Sequence, residues 1–494
     1  MNTIYVKLIS LLIFFSAIFS CTDSLNLEPI SLVSNESFWK TADQAAGGLH
    51  GMYYRARNQA NTNLLLWGEA RSEIWVQNFG MDASNAFPVF MNDLSRTNAG
   101  PDWTGMYSAV HDANLILKYV PDIDFVNESE KNSMLAQAHA MRAFLYFTMT
   151  KVWGDLILNE EPTEGFIPET TFKERSSQND VFQLIKRDIE DALALFPDNS
   201  FSSHRCYWSK PAVNALKADV NLWTSKKLNG GTDDLNTALN AIAEIEGSDV
   251  ELLSDFEQIF DYNNKGNKEI IMSFRYFEGE SSTRLTLGGI TGLDAPKAEY
   301  TDAETMEKVA PMIGSKNSHW QIANSVVEQF YDDDLRKDAS LIQVFETRDG
   351  ITKLLYNVDQ KWDGIMSGGV MAHYNDYILY RYADVILMKA EAKSALGQDP
   401  STEINEIRKR AFGDNYSDHI FESGTKEYND EVILQERLFE FYHEGKRWWD
   451  LVRFDKALEL VPLLEGKDEN YLLFPIAEDI LSLEPLVEQN PGYN

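Results

Sequence analysis

Apolar residues along most of the chain recur with the period of an α-helix. Across residues 136–147, alanine and phenylalanine repeat at spacings of three and four, and the same spacing follows Ser209, where Pro211 suits a first helical turn. Further helices are predicted at residues 181–195, 233–246, 382–396, 402–410 and 431–460. Helices of this length joined in pairs predict an all-α fold, a tetratricopeptide-like helix-pair solenoid.

The pattern changes in two regions. Between about residues 247 and 376 helical periodicity weakens, and short β-prone runs lie at 269–277, 340–345 and 354–358. In residues 58–101, tryptophan and phenylalanine stand among Asn, Gly, Ser and Asp rather than on one helical stripe. Irregular segments on a rigid frame often hold binding residues. We therefore expect long irregular loops and a few short strands on the helical scaffold.

The amino terminus has the pattern of an export signal. Residues 8–19 are uncharged and apolar apart from two serines, a run too short to span a bilayer, and they are followed by Ser20 and Cys21. We predict a signal peptide at residues 1–20. A small residue before a cysteine resembles the lipobox of bacterial lipoproteins, so Cys21 is the predicted lipidation site. Since no later segment reaches about 18 uncharged apolar residues, the body is not expected to cross a membrane.

The composition narrows the possible partners. There are 77 acidic and 44 basic residues, which gives a formal net charge of −33. Such a field repels polyanions, so nucleic acid is not an expected partner. With 44% hydrophobic and 24% charged residues, the chain resembles a globular protein rather than a disordered one. Cys206 has no second cysteine to pair with once Cys21 is lipidated, and it is predicted to be a small buried apolar residue.

Motifs that would indicate catalysis or a metal are missing from the sequence. It contains no HExxH, GxSxG, Walker or GxGxxG pattern, and its eight histidines are not arranged at metal-ligand spacing. Residues 261–266 begin like a calcium loop, but Lys265 stands where an oxygen ligand is required. The run 332–334 is predicted to cap a helix. We therefore predict no metal, no cofactor and no enzymatic activity, although a glycosidase-like pair among the many carboxylates stays open.

The most specific pattern lies at residues 436–453, ERLFEFYHEGKRWWDLVR. Its spacing predicts a charge-laced helix with Lys446 and Arg447 near Asp450 and with Trp449 near Arg453. The string closely resembles the signature of the SusD/RagB family, the surface-exposed nutrient-binding lipoproteins of Bacteroidetes outer membranes. Other segments that resemble the family follow in order, at 103–117, 142–155, 330–336, 379–392, 474–476 and 489–493. Ala477 and Glu484 depart from the usual pattern of the terminal segment.

The resemblance implies an all-α scaffold in which residues 21–310 and 311–494 form amino- and carboxyl-terminal regions packed as one unit. It also implies a binding protein rather than an enzyme. Such proteins capture an oligosaccharide, or less often a peptide, and close as a lid over a SusC-like TonB-dependent transporter. The implied location is the cell outer membrane, with the protein anchored by lipid at Cys21 and facing the exterior.

Candidate ligand contacts follow from the chemistry of sugars. Apolar C–H faces stack on aromatic rings, and hydroxyl groups pair with amides, carboxylates and guanidinium groups. The predicted contacts are Trp67, Glu69, Arg71, Trp75, Asn78 and Trp320. The tryptophans predicted to belong to the core are Trp103, Trp153, Trp208, Trp223, Trp448 and Trp449. The net negative charge favours neutral or basic ligands over acidic ones. Two alternatives to a glycan-binding protein stay open: the same scaffold binding a peptide, and a surface glycoside hydrolase.

Overall fold

The computed structural model describes residues 38–78, 84, 86–165, 167–282, 295–314, 319–362 and 364–493. One apolar core extends from Trp39 to Tyr493 and includes side chains from both predicted regions. The two regions therefore share one hydrophobic interior, while the boundary at residue 310 stays a prediction. The signal peptide and Cys21 lie outside the described residues.

Most of the described chain is helical. The helices are α1 (Ala42–Gln59), α2 (Phe87–Phe90), α3 (Thr104–Tyr119), α4 (Glu128–Trp153), α5 (Pro168–Thr171), α6 (Gln178–Leu195), α7 (Lys210–Lys227), α8 (Gly231–Glu246), α9 (Ala303–Val309), α10 (Asn324–Val327), α11 (Leu335–Ser340), α12 (Tyr382–Ala395), α13 (Ser401–Phe412), α14 (Lys426–Phe441), α15 (Arg447–Arg453), α16 (Ala457–Leu460) and α17 (Glu478–Leu483). Two π-helical segments, Ala60–Leu64 and Leu66–Ala70, continue the path of α1.

The long helices pack in sequence. Contacts join α1 to α3, α3 to α4, α4 to α6, α6 to α7, α7 to α8 and α8 to α12, and α12 also contacts α13 and α14. Alanines at positions 136, 140 and 143 of α4 are fully buried, which permits the close approach of neighbouring helices. Ser209 caps α7 by accepting a hydrogen bond from the backbone N–H of Ala212. This arrangement confirms the predicted all-α, tetratricopeptide-like fold.

The strands among the described residues form four antiparallel pairs. They are β1 (Trp75–Gln77) with β3 (Trp320–Ile322), β2 (Ile270–Phe274) with β8 (Tyr377–Arg381), β4 (Leu341–Arg348) with β5 (Ile351–Asp359), and β6 (Ile365–Ser367) with β7 (Val370–Ala372). The first predicted β-prone run contains β2, and the other two overlap β4 and β5, which are longer than predicted. The sequence did not reveal β1 and β3, which are only three residues long.

The signature segment differs from its predicted geometry. Instead of one helix over residues 431–460, α14 ends at Phe441 and α15 begins at Arg447, because His443 and Gly445 adopt left-handed conformations with φ of 59° and 72°. The break redirects the basic side chains. Lys446 pairs with Asp384 at 2.6 Å and Arg447 pairs with Glu73 at 2.6 Å, so the predicted pairing of both with Asp450 is wrong.

A buried network of ion pairs joins the signature to other segments. The guanidinium of Arg381, at the end of β8, donates hydrogen bonds to Glu269 at 2.8 Å, Glu440 at 2.5 Å and Glu444 at 2.9 Å, and all four side chains are fully buried. Burial alone would raise the pKa of Glu444, but the charges of Arg381 and Lys361 outweigh it and lower the pKa to about 2. The signature therefore has a structural role.

The predicted core tryptophans are confirmed. The exposed fraction of the residue is at most 8% for each of Trp103, Trp153, Trp208, Trp223, Trp448 and Trp449. Cys206 is also buried, and burial raises the pKa of its thiol to about 11. A thiol protonated at neutral pH is a poor nucleophile, which agrees with the predicted packing role.

Candidate ligand-binding site

Two tryptophans predicted as ligand contacts, Trp75 and Trp320, lie on paired strands and contact the same phenylalanine. Pairing of β1 with β3 places Gln77 opposite Trp320, and the backbone N–H of Asn78 donates to the carbonyl of His319 at 2.7 Å. Phe90, at the end of α2, lies between the two rings. It stacks on Trp320 with centroids 4.0 Å apart and meets Trp75 edge to face at 6.2 Å. Residues distant in sequence thus form one aromatic cluster.

This cluster forms a wall of an open cavity of about 780 Å³, which we call the tryptophan cavity. The cavity lies between the β1–β3 pair, the start of α14 and the residues that follow α15. Its lining residues are Ser72, Glu73, Trp75, Val76, Gln77, Phe90, Met91, Trp320, Ala323, Ser325, Gln329, Glu431, Leu434, Gln435, Arg447, Lys456, Glu459, Leu460, Val461, Pro462 and Leu463. The volume is in the range of small-molecule sites.

The rim of the tryptophan cavity is more accessible than its tryptophans. Trp75 is 5% exposed and Trp320 is 4% exposed, so little of either residue is open to solvent. Val76, Leu460 and Leu463 are 41%, 38% and 46% exposed and provide apolar surface beside the polar side chains. An open cavity with both kinds of surface suits a ligand that has apolar faces and many hydroxyl groups.

Charged side chains in the cavity are largely paired. Glu73 accepts two hydrogen bonds from Arg447, at 2.9 and 2.6 Å, and Arg447 also donates to the carbonyl of Leu434 at 2.9 Å. Glu459 pairs with Lys456 at 2.6 Å. Three acidic and two basic side chains line the cavity. Its charge is therefore close to balanced, with a small acidic excess.

The structure contradicts the predicted ligand contacts at Trp67 and Glu69. Both are fully buried because the π-helical segment 66–70 enters the interior, where a Cβ atom on Gly68 would lie 1.8 Å from the carbonyl oxygen of Gly445. Trp67 packs edge to face on Trp153 at 5.2 Å. The carboxylate of Glu69 accepts hydrogen bonds from the backbone N–H groups of His443 at 2.8 Å and Lys446 at 3.1 Å, so it braces the break between α14 and α15.

Arg71 is also wrong as a predicted ligand contact, because it is 1% exposed and engaged in the interior. Its guanidinium donates to the side chain of Asn92 at 2.7 Å and to the carbonyls of Leu472 and Tyr471. It also lies 4.4 Å from the centre of the Trp448 ring. Burial lowers the pKa of Arg71 to about 10, and the side chain joins the end of the chain to the segment before β1.

Sequence reasoning missed the residues that enclose the far side of the tryptophan cavity. Leu460, Val461 and Leu463 follow α15; Leu460 is the last residue of the predicted long helix, and the other two lie just beyond its predicted end. Pro462, which ends the helical pattern, was the available signal in the sequence. Phe90 was visible only as one of several aromatic residues in an irregular region.

One group of possible metal ligands occurs among the described residues, and its central carboxylate is already paired with an arginine. His139, Asp188 and Asp191 have ligand atoms within 4.8 Å of one another, but Arg142 donates to both oxygens of Asp188 at 2.8 and 2.7 Å. In the run 332–334, Asp334 caps α11 by accepting from the backbone N–H of Arg336 at 3.0 Å, as predicted. Lys265 of the calcium-like run pairs with Asp376 at 2.7 Å.

The described helices were also compared with the length and apolar character of a membrane-spanning helix. None of them combines the length and the apolar character needed to cross a bilayer.

Two family models match the chain. The model of the SusD family matches residues 366–463, and a SusD-like model described as starch-binding and associating with the outer membrane matches residues 36–222. Among relatives, SusD-like protein P38 of Formosa agariphila is 27% identical, over 96% of this chain and 96% of its own length. The starch-binding protein SusD of Bacteroides thetaiotaomicron is 34% identical over 147 residues, which are 27% of this chain and 25% of that protein.

Solved structures agree with these matches. NanU of Bacteroides fragilis has a TM-score of 0.84 and 31% identity, covering 95% of this chain and 100% of the other. A laminarin-binding SusD-like protein has a TM-score of 0.73 and 21% identity, covering 92% and 100%, and supports the fold alone. Fold and site together define a helical scaffold with a candidate cavity among its irregular segments. The chain belongs to the SusD family.

Proposed function

We propose that this protein binds an oligosaccharide or polysaccharide in the tryptophan cavity and does not alter it chemically. The observation that supports the proposal most directly is the convergence of Trp75, Phe90 and Trp320 on a cavity of about 780 Å³ in a member of this family. Sugar rings would pack their C–H faces on the apolar rim, while Gln77, Asn78 and other polar groups at the same end of β1 would pair with hydroxyls. The slight acidic excess favours neutral glycans.

The ion pairs of the cavity argue for binding without catalysis. Glycoside hydrolysis requires two carboxylates that act as acid and as base or nucleophile across the scissile bond. Of the three acidic residues that line the cavity, Glu73 is held by Arg447 and Glu459 by Lys456. Glu431 is the one without such an ion pair among the described residues. Incubation with a polysaccharide panel should release no new reducing ends, and their release would support a hydrolase instead.

The wider role is proposed from the family and the amino-terminal pattern. Lipid attached to Cys21, after removal of residues 1–20, would hold the protein on the exterior face of the outer membrane. There it would deliver its glycan as a lid over a SusC-like TonB-dependent transporter. The matching description of a family associating with the outer membrane supports this location. Co-purification of a large outer-membrane protein with the tagged, lipidated chain would test the partnership, and recovery of the chain alone would count against it.

The binding proposal is tested by closing the cavity without disturbing the core. Val76 lines the cavity and is 41% exposed, so Val76→Arg should leave the fold intact and weaken glycan binding at least about tenfold. Gln77→Ala should weaken it to a smaller extent. Val126→Arg is the matched control, because Val126 is fully exposed and does not line the cavity. Affinity gels and calorimetry with starch and laminarin oligosaccharides provide the readout, and unchanged binding by Val76→Arg would overturn the proposed site.

A peptide ligand is the second candidate, and one feature favours it. All three residues of β1 line the cavity, so an extended backbone bound there would lie beside a strand. A peptide bound in this way would add a strand and depend on backbone hydrogen bonds. Calorimetry against a peptide pool and a glycan pool separates the two ligand classes, because only one pool should give a signal that Val76→Arg removes.

A further inference from the structure

A second concave surface lies along the outer face of α3, away from the tryptophan cavity. One hollow of about 470 Å³ lies between α1 and α3, and another of about 420 Å³ lies between α3, residues 157–163 and α17. Arg55 and Ser108 border both hollows. The two hollows therefore form one continuous surface, which we call the α3 groove.

The side chains of the α3 groove combine an open aromatic ring with hydrogen-bonding groups. Tyr54 is 57% exposed, and one helical turn further along α1 the amide of Asn58 is exposed and has no hydrogen-bond partner among the described residues. In the second hollow His111 accepts a hydrogen bond at Nδ1 from the backbone of Thr163 at 3.2 Å. Glu161 completes this end of the groove. Such a set can stack on a sugar ring and pair with its hydroxyls.

The groove is fixed in shape by the scaffold. Its walls belong to α1 and α3, which pack against each other in the helix-pair frame. At the junction of the two hollows, Arg55 pairs with Asp112 at 2.5 Å. In the second hollow the hydroxyl of Tyr107 donates to the carbonyl of Ile157 at 2.8 Å. A ligand would thus meet groups that are already in place, which lowers the entropic cost of binding.

Charge and backbone geometry narrow the ligand class. The carboxylates of Asp112, Glu161 and Glu484 line the groove, whereas Arg55 is its one arginine or lysine among the described residues. An anionic ligand would be repelled. No described strand lines the groove, so a peptide would find no edge for backbone pairing. We propose that the α3 groove is a second binding site for neutral oligosaccharide, separate from the tryptophan cavity.

Gly51 offers a way to fill the groove without harming the fold. It lines the first hollow in the middle of α1, and an added Cβ atom would have nothing within 4 Å. Gly51→Trp should therefore occupy the groove while improving the helix propensity of α1. Gly51→Ala is the matched control, since a methyl group leaves the groove open. Asn58→Ala removes one hydrogen-bonding group without adding bulk.

The test uses calorimetry with maltoheptaose, laminarihexaose, xylohexaose and mannohexaose, on wild-type protein and the variants. We expect at least one probe to bind Val76→Arg, whose tryptophan cavity is closed, and to lose at least about tenfold in affinity when Gly51→Trp is added. Gly51→Ala should bind like wild type, and Asn58→Ala should bind more weakly.

Each remaining outcome has a defined meaning. Suppose that every probe bound by wild type binds Gly51→Trp with unchanged affinity and no longer binds Val76→Arg. The α3 groove is then not a binding site, while the proposed function stands. If binding is lost with Gly51→Trp and retained by Val76→Arg, the groove stands and the tryptophan cavity is not the site. Wild-type protein that binds none of the probes contradicts the α3 groove proposal.

Discussion

Gly68 and Gly445 touch through their backbones, and the contact leaves no room for a side chain. A Cβ atom on Gly68 would lie 1.8 Å from the carbonyl oxygen of Gly445 and 2.9 Å from the indole nitrogen of Trp449. The contact joins the π-helical segment before β1 to the break between α14 and α15. It thereby fixes the segment that positions Trp75 relative to the signature.

We expect Gly68→Ala to lower the free energy of unfolding by about 1 to 3 kcal/mol, because backbone rather than a flexible side chain must move. Gly51→Ala is the matched control. Gly51 is helical and faces open space, so the same substitution should stabilise the protein by about 0.5 to 1 kcal/mol. Denaturant unfolding measures both variants, and equal effects at the two glycines would contradict the close contact.

The buried ion pairs lead to a second prediction. Arg381→Met should destabilise the protein by about 3 to 5 kcal/mol, because Glu269, Glu440 and Glu444 would stay buried without their shared cation. In contrast, Lys308→Met removes the partner of Glu304 in a pair whose side chains are 52% and 80% exposed, and should cost less than about 1 kcal/mol. Similar losses in the two variants would show that burial does not determine the effect.

Glu69 predicts a pH dependence of stability. Burial raises its pKa to about 7 from an unfolded value near 4.5, and the attraction of His443 and the backbone N–H groups only partly offsets that effect. The folded state therefore binds this proton more tightly than the unfolded state. Protonation of Glu69 therefore contributes about 3 kcal/mol to the free energy of unfolding. This contribution is fully present below pH 4.5 and is lost as the pH rises through 7.

The variant Glu69→Gln isolates this contribution, since it cannot ionise while the other titrating groups stay the same. The difference in unfolding free energy between wild type and the variant should shift by about 3 kcal/mol in favour of the variant from pH 4.5 to pH 8. Urea unfolding at several pH values gives both curves. Parallel curves would mean that Glu69 keeps an ordinary pKa in the folded protein.

The amino-terminal prediction can be tested in cells. Cys21→Ser should abolish metabolic labelling with palmitate, because it removes the predicted lipid attachment site. The protein should then move from the membrane fraction to the soluble fraction, since stable anchoring needs two or more acyl chains. Cys206→Ser is the matched control and should leave labelling unchanged, since its thiol is buried. Persistent labelling of Cys21→Ser would place the lipid elsewhere.

Sequence alone was sufficient for features that depend on local spacing. The three-and-four repeat of α4, Ser209 as the cap of α7 and the β-prone runs at β2, β4 and β5 are patterns among residues close together in the chain. The pairing of β2 with the distant β8 was not visible in that local pattern. The ordered motifs also identified the family, because a signature depends on the order of residues and not on their environment.

The tertiary structure decided which chemically suitable residues reach a ligand. Trp67 and Trp75 stand in similar sequence surroundings, yet Trp67 enters the core beside Trp153. Trp75 instead contacts Phe90, which stacks on Trp320 at a cavity wall. Lys446 and Arg447 of the signature likewise pair with distant Asp384 and Glu73 rather than with Asp450. Burial and long-range pairing are properties of the packed chain. Local composition therefore identifies suitable chemistry, whereas the site exists only where distant segments meet.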